Sequence, residues 1–130
     1  MKHHRPIPTK LIPLLSVRGG LKAIEFYKAA FNAEVLFSMD EEPLIAQLAI
    51  QGQQFWISDE APEFHNFSPE TLNGSTVRII LVVDDPDVAF EQAVEAGATV
   101  VWHVENQSYR WRLGRVVDPF GHHWEIGKPV

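Results

Sequence analysis

The side chains of this sequence that could hold a metal ion or exchange protons are its 6 histidines and its 17 acidic residues. His122 and His123 are neighbours, so in a strand they point to opposite faces and cannot bind one ion together. His123 shares a strand face with Glu125, which gives a two-ligand fragment or, more often, a hydrogen-bonded pair. The other histidines, which stand in the N-terminal tail, in a loop-forming stretch or near the end of a strand, are His3, His4, His65 and His103. The chain has no cysteine, which excludes a thiolate nucleophile and a disulfide framework.

The composition is typical of one globular domain. The chain has 130 residues, of which 45% are hydrophobic and 22% are charged, so it has enough apolar surface to form a core. The formal net charge of -6 argues against nucleic-acid binding, which requires a basic surface. The same charge is compatible with a neutral or cationic small ligand, although surface acidity usually serves solubility alone. No apolar run approaches the roughly 20 residues that span a bilayer, and the N-terminus has no apolar signal segment. We therefore expect a cytoplasmic protein that binds neither membrane nor nucleic acid.

Hydrophobic periodicity predicts that these residues are carried by strands and helices in a repeating order. The first helix follows Gly19-Gly20, and the second begins at Asp85-Pro86 and ends at Gly97. Ser68-Pro69-Glu70 predicts a short helical turn between them. The predicted strands span residues 11–17, 34–39, 44–50 and 55–58 in the first half and 77–83, 99–104, 111–117 and 122–126 in the second.

The second half of the chain repeats the first. Leu15 and Val17 align with Leu81 and Val83, and the segment 52–57 aligns with 121–126. These matches fall in step with the strands, the helix ends and the terminal hairpins, which chance identities would not do. One βαβββ unit has too small a core to be stable alone, so two units must bury their edges against each other.

The sequence therefore predicts an α+β fold of two tandem βαβββ modules, whose mixed sheets curve around a shared cleft. We expect one domain over residues 10–128 after a tail at 1–9. Within it, the first module covers about 10–59, a linker covers 60–75 and the second module covers about 76–128.

Several short strings in this order resemble the vicinal oxygen chelate superfamily, also called the glyoxalase/bleomycin resistance protein/dioxygenase family, and more narrowly its PhnB-like branch. They are Ala23-Ile24-Glu25-Phe26-Tyr27, Ser58-Asp59-Glu60, Gly74-Ser75, Ala96-Gly97-Ala98 and Asp118-Pro119-Phe120-Gly121-His122. The resemblance implies paired modules and often a homodimer. Its enzymes use a divalent metal to chelate neighbouring substrate oxygens, whereas its resistance proteins lack the metal and sequester a drug.

The resemblance also locates the positions at which metal-dependent members carry their ligands. In this sequence those positions are Ile12, Trp56, Arg78 and Glu125. Only Glu125 can bind a metal, because Ile12 and Trp56 offer no ligand atom and Arg78 is a fixed cation. We therefore expect no metal cofactor, with a divalent metal as the alternative.

Strand alternation from Glu125 gives a lining for the cleft. The side chains expected on its inner face are Ile12, Leu14, Ser16, Gln54, Trp56, Arg78, Ile80, His123 and Glu125. A buried lone arginine would be costly, so we expect Arg78 and Glu125 to form an ion pair where the metal of other members sits. Trp56 offers a face for stacking, and Arg78 could hold a carboxylate or phosphate. The cleft could instead be collapsed, with Trp56 and Ile12 filling the space.

Trp111 is a further candidate for ligand binding. The string Tyr109-Arg110-Trp111-Arg112 could form a lid, or Trp111 could lie on the buried side of a strand with the arginines in solvent. The resemblance and the altered ligand positions together favour a metal-free small-molecule-binding protein similar to bleomycin-resistance proteins. The alternatives are a metal-dependent lyase, isomerase or dioxygenase, and a metal-free enzyme in which Glu125 is the base and Arg78 the electrophile.

Overall fold

A computed structural model describes residues 4–39, 41 and 43–130 of the chain, so His3 lies outside the described residues. The elements follow the predicted order in both halves. They are β1 (Leu14–Val17), α1 (Gly20–Phe31), β2 (Glu34–Met39), β3 (Ile45–Ile50), β4 (Gln53–Asp59), a 3-10 turn (Pro62–Phe64), α2 (Pro69–Leu72), β5 (Arg78–Val82), α3 (Pro86–Ala96), β6 (Thr99–Asn106), β7 (Trp111–Val117) and β8 (His123–Pro129).

The strands form two mixed four-stranded sheets with matching topology. The strand order is β1-β4-β3-β2 in the first sheet and β5-β8-β7-β6 in the second. Leu14 pairs with Trp56 in the parallel β1–β4 ladder, and Ile80 pairs with Glu125 in the parallel β5–β8 ladder. These are equivalent positions of the two halves, so the fold class and the internal repeat are both confirmed.

Strand β1 is shorter than predicted, and proline is the reason. It begins at Leu14 rather than at residue 11. The carbonyl of Pro13 still accepts a 2.8 Å hydrogen bond from the backbone N–H of Trp56, but proline has no N–H with which to extend the ladder. Ile12 therefore lies just outside the strand.

Carboxylates position the starts of the two longer helices. No side chain caps α1 in the usual way. Instead Asp59, at the end of β4, accepts the backbone N–H of Gly20 at 2.8 Å and that of Leu44 at 3.0 Å. Helix α3 is capped as predicted, because the Asp85 carboxylate accepts from the backbone N–H of Val88 at 3.3 Å. Each helix is thereby fixed to its own sheet.

The helix-side faces of the two sheets share one core. The fully buried residues at its centre include Tyr27 from α1 and Trp124 from β8. The two rings lie 5.7 Å apart, and the ring of Phe31 lies 4.6 Å from that of Trp124 at a tilt of 43°. Leu15, Val17, Trp124 and Ile126 are buried on this side, as the alternation predicted. No helix in the described part of the chain is long and apolar enough to cross a membrane.

A buried carboxylate, Asp118, joins the two modules through this core. One of its oxygens accepts hydrogen bonds from the hydroxyl of Tyr27 and, at 2.9 Å, from Nε1 of Trp124. Its other oxygen accepts the backbone N–H groups of Phe120 at 2.9 Å and His122 at 3.0 Å. Burial raises the pKa of Tyr27 well above its usual value, and the Asp118 charge raises it further, so the phenol remains a donor.

Replacing Asp118→Asn is expected to lower the free energy of unfolding by about 2–4 kcal/mol. Each oxygen of Asp118 accepts hydrogen bonds from two donors. In asparagine one of these oxygens is replaced by an NH2 group, which is itself a donor and leaves both former partners without an acceptor. Urea unfolding followed by tryptophan fluorescence measures the loss. Asp85→Asn is the matched control, since Asn and Asp cap helices equally well. Equal stability of the two variants would contradict the role given to Asp118.

A second carboxylate, Glu60, holds the segment between the modules. It accepts the backbone N–H of Ser68 at 3.0 Å, the hydroxyl of Thr71 at 2.7 Å and Nε of Arg18 at 2.9 Å. These hydrogen bonds, that from the Ser68 N–H first and that from the Thr71 hydroxyl next, lower the pKa of Glu60 from its usual 4.5 to about 2.

The lowered pKa of Glu60 predicts an acid-sensitive contribution to stability. The folded chain holds the ionised form, so the stabilisation is complete above the unfolded pKa of 4.5 and is lost as pH falls towards about 2. The stability difference between the native chain and Glu60→Gln should therefore shrink between those pH values, as thermal unfolding would show. Glu63→Gln, in the same segment but exposed, should differ little from the native chain at any pH. A difference for Glu60→Gln that is independent of pH would refute this assignment.

Candidate functional site

Each sheet has a second face, turned away from the helices, and the predicted site residues lie on these two faces. We call them the first and the second open face. The first open face carries Leu14, Ser16, Gln54 and Trp56, and the second carries Arg78, Ile80, Arg115, His123 and Glu125. This is the division between inner and core side chains that strand alternation predicted.

Glu125 lies at the centre of the second open face and is 7% exposed. One of its oxygens accepts two hydrogen bonds from Arg115, from Nη2 at 2.7 Å and from Nε at 3.1 Å. The expected partner, Arg78, is also present, with its Nε 3.6 Å from the same oxygen. That distance is an ion pair rather than a hydrogen bond. The close partner of Glu125 is therefore Arg115, and Arg78 is the looser one.

Arg115 and Trp102 are site residues that the sequence interpretation missed. The guanidinium carbon of Arg115 lies 5.3 Å from the ring centroid of Trp102, which is a cation–π contact. Arg115 pairs with Glu125 on one side and with Trp102 on the other. The register of β7 against β8 would have revealed Arg115, because residues opposite each other in a ladder share a face. The irregular pairing of β6 hid Trp102.

His123 lies next to Arg78 across the β5–β8 ladder. Its Nδ1 is buried and has no hydrogen-bond partner in the described part of the chain. A proton on Nδ1 would leave a buried donor unsatisfied, so this packing favours the tautomer with hydrogen on Nε2. His122 points the other way and its Nε2 lies 2.9 Å from the backbone oxygen of Ser16. The two neighbouring histidines are therefore separated, as strand geometry predicted.

The first open face carries uncharged side chains, both polar and apolar, around Trp56. The indole Nε1 of Trp56 donates to Oε1 of Gln54 at 3.2 Å, and Trp56 pairs with Leu14 on one side and Gln47 on the other. The indole is half-buried, so part of it remains accessible for stacking. Ile12 is half-buried and precedes this face rather than lying in it.

Both faces are open to solvent in a single chain. Leu14 is 51% exposed on the first and Ile80 is 58% exposed on the second. Gln54 and Ile80 meet in one cavity of about 340 Å³ between the β3–β4 hairpin and β5. Leu14 lines a second cavity of about 370 Å³ beside Val77. The structure thus brings some predicted residues of the two modules together, whereas neither of these cavities contains Trp56 or Glu125.

The aromatic and basic string at 109–112 is divided between a turn and a strand. Tyr109 and Arg110 lie in the turn before β7, where Arg110 has a φ of 65°. Trp111 is the first residue of β7 and is half-buried. It is four positions from Arg115, or about 13 Å along the strand. Arg112 does not point freely into solvent, because it donates two 3.0 Å hydrogen bonds to Asp87.

The residues present do not fit a metal centre. Within residues 4–39, 41 and 43–130, no three His, Asp or Glu side chains come together in a way that could hold an ion. Among the described residues, the charged groups within 4 Å of the Glu125 carboxylate are two guanidinium groups, those of Arg78 and Arg115. A cation there would face repulsion from both arginines, since an arginine stays protonated. We therefore derive no chemical step through a metal.

A further cavity lies elsewhere, between α3 and strands β6 and β7. It has a volume of about 410 Å³ and an apolar floor that includes Phe90 and Val104. Its charged rim is made by Asp87, Glu91, Glu95 and Arg112. Arg112 is already satisfied by Asp87, and no residue of either open face contributes to this cavity.

The fold agrees with the comparisons to known proteins. A Glyoxalase-like domain family matches residues 16–127. The chain is 40% identical over 126 residues to a protein of Mycobacterium bovis, covering 92% of this chain and 83% of that protein. A crystal structure of an Arabidopsis thaliana gene product is 30% identical, with a TM-score of 0.75, and covers 94% of this chain and 100% of that one. The chain therefore belongs to the glyoxalase-like domain family.

A more distant structure shares the same fold. TnmS3, an antibiotic binding protein from Streptomyces, is 21% identical with a TM-score of 0.73, over 98% of this chain and 100% of that chain. At this identity the likeness establishes the fold alone. A structure from Sphaerobacter thermophilus, a member of the glyoxalase/bleomycin resistance protein/dioxygenase superfamily, is 20% identical with a TM-score of 0.69, over 92% of this chain and 98% of that chain. The chain thus has the glyoxalase/bleomycin resistance fold with its two modules.

The geometry around Glu125 predicts unequal effects for its two partners. Arg115→Gln should lower the free energy of unfolding by about 2–4 kcal/mol, because it leaves the buried Glu125 carboxylate without its close counter-charge. Arg78→Gln should cost less than about 1 kcal/mol, because the Arg78 side chain is 59% exposed. Urea unfolding of both variants at neutral pH measures the difference. A larger loss for Arg78→Gln would contradict the assignment of Arg115 as the close partner.

Proposed function

We propose that this chain is a metal-free small-molecule-binding protein that resembles bleomycin-resistance proteins and holds its ligand against the two open faces. The observation that carries the proposal is the cluster of Arg78, Arg115 and Glu125. It puts a partly buried, hydrogen-bonded polar centre beside exposed apolar side chains, which is the usual composition of a ligand site. TnmS3, described as an antibiotic binding protein, has the same fold, which makes a binding role a reasonable proposal for this chain.

We propose that a homodimer encloses this site. Both open faces expose large apolar residues of neighbouring strands, among them Phe37 and Met39 on β2 and Ile80 and Val82 on β5. Contiguous apolar surface of this kind is typical of an interface or a ligand site. A second copy lying over these faces would cover the apolar residues and convert the open faces into a closed cleft.

The branch of the superfamily and the cellular location of the protein are two further proposals. The strings at 23–27, 58–60 and 118–122 support membership of the PhnB-like branch of the superfamily. A cytoplasmic location, with which the composition is compatible, is the other.

Ligand binding without metal is the test of the proposed function. Untagged protein treated with a chelator should show a raised melting temperature with at least one compound of a panel of aromatic acids, amines and neutral molecules, since binding stabilises the folded state by mass action. Adding Mn²⁺ or Zn²⁺ should not be needed. A stoichiometric metal in the purified protein, or a shift that requires the metal, would overturn the proposal.

The role of Trp56 in the site gives a second test. Trp56→Ala should reduce the affinity for the same compound by about tenfold or more, because stacking on the indole is lost. Leu21→Ala is the matched control, since Leu21 is exposed on α1 and away from both open faces. Equal affinities of the native chain and of Trp56→Ala would exclude the first open face from the site.

A further inference from the structure

The charges of the second open face point to the chemical class of the ligand. We propose that it is an organic acid, whose carboxylate or other oxyanion binds the guanidinium of Arg78 and whose apolar body covers Ile80 and Val82. This inference rests on the proposed binding function and deepens it. It also decides between the cationic and the anionic ligands that the sequence left open.

The charges around Arg78 favour a negatively charged ligand. The cluster holds two guanidinium groups, of Arg78 and Arg115, against the single carboxylate of Glu125. It therefore carries a net positive charge even though the whole chain has a formal charge of -6. Charges on the rest of the surface are screened over about 8 Å at physiological ionic strength, so the nearby arginines dominate at the site. A cationic ligand would be repelled there, and an anion would restore neutrality.

Arg115 has more hydrogen-bond partners than Arg78. Two nitrogens of Arg115 donate hydrogen bonds to Glu125 at 2.7 and 3.1 Å, and the guanidinium lies against the ring of Trp102. Arg78 has only the 3.6 Å ion pair through Nε and is 59% exposed. Its two terminal nitrogens make no hydrogen bond to any of the described residues. A guanidinium has five N–H donors in a planar fork, so Arg78 keeps a free pair of donors that matches an oxyanion.

Glu125 holds Arg78 by an ion pair and still leaves it able to bind an anion. The ion pair draws the Nε side of the guanidinium towards the sheet. The terminal nitrogens donate no hydrogen bond to any residue that the structure describes. The stronger hold of Arg115 on Glu125 means that an incoming anion need not compete with a bidentate bond to reach Arg78. The Arg115–Glu125 pair therefore holds Arg78 in place and leaves its terminal nitrogens available to a ligand.

The surface of β5 next to Arg78 is apolar and exposed. Ile80 and Val82 are 58% and 56% exposed and lie on the same face of β5 as Arg78. Alternate residues of a strand are about 6.6 Å apart, so the apolar stretch begins about 7 Å from Arg78 and extends to about 13 Å. An acidic head group on Arg78 thus places an apolar body of aromatic-ring or short-chain length over these two residues.

Matched probes that differ only in charge test the proposal. Isothermal titration calorimetry or ligand-detected NMR would compare 2-naphthoate with 2-naphthamide and 2-naphthylmethylammonium, all with the native full-length chain. The naphthoate should bind at least about tenfold more tightly than the other two. Its affinity should fall as salt rises from about 50 to about 500 mM, because the contact is between charges.

Two variants then assign the effect to one residue. Arg78→Gln should weaken naphthoate binding by about 10- to 100-fold, the loss expected for hydrogen bonds to a charged group. Arg110→Gln removes the same charge from the exposed turn before β7 and should leave the affinity unchanged. Circular dichroism and the melting temperature of each variant confirm that it is folded.

The outcomes separate this inference from the proposed function. Preferred binding of the ammonium or the amide, or equal losses for the two arginine variants, would overturn the anion assignment while a binding role stands. Binding of naphthoate that is unaffected by Arg78→Gln would place the acid elsewhere and also overturn it. Absence of binding by all three probes and by the wider compound panel would count against both.

Discussion

The buried carboxylate of Asp118 is the interaction on which the assembly of the two modules depends. It accepts a hydrogen bond from Tyr27 in the first module and from Trp124 in the second, deep in the aromatic core. A charge in that position is costly unless every oxygen is satisfied, and here each oxygen receives two donors. The backbone donors come from the turn before β8, so the same carboxylate fixes the strand that carries Glu125. The core and the second open face are thus tied to one polar centre.

The two modules share one fold although the side chains of their open faces differ. The internal repeat places Trp56 and Glu125 at equivalent positions of the two modules. One is an indole and the other is a carboxylate held by Arg115. The helix-side packing tolerates these differences because strand alternation keeps the two faces of each sheet independent. The fold alone therefore does not determine the chemistry, which depends on the side chains of the open faces.

The open faces also explain why a single chain leaves its proposed site incomplete. Their exposed apolar residues and their polar centre lie on the outer surfaces of two sheets, and no third layer built from the described residues covers them. A polar cluster at such a surface is partly hydrated, so its arginine remains able to exchange water for a ligand. The looser ion pair of Arg78 is consistent with that role, whereas the close pair of Arg115 with Glu125 is consistent with a structural one.

The order of elements, both helix starts and the division of each strand into two faces could be predicted from the sequence by itself. Periodicity, caps and alternation are local properties, and they are read from residues close together in the chain, as with Asp85 and the alternation around Glu125. The presence of an ion pair between Arg78 and Glu125 could also be predicted, since both positions share a face. Its strength could not, because Arg115 comes from a different strand.

Only the tertiary structure decided which partner Glu125 prefers, where β1 begins and which cavity each residue lines. Arg115 reaches Glu125 through the β7–β8 register, and Trp102 reaches Arg115 across an irregular ladder. Such contacts depend on the pairing of strands and on bulges, which no short stretch of sequence specifies. From the sequence, the resemblance to the superfamily led us to expect Glu125 and Arg78 on one face of the second sheet. The folded chain determined that two arginines are unequally bound to this one carboxylate, Arg115 closely and Arg78 loosely, because strand pairing brings Arg115 beside it.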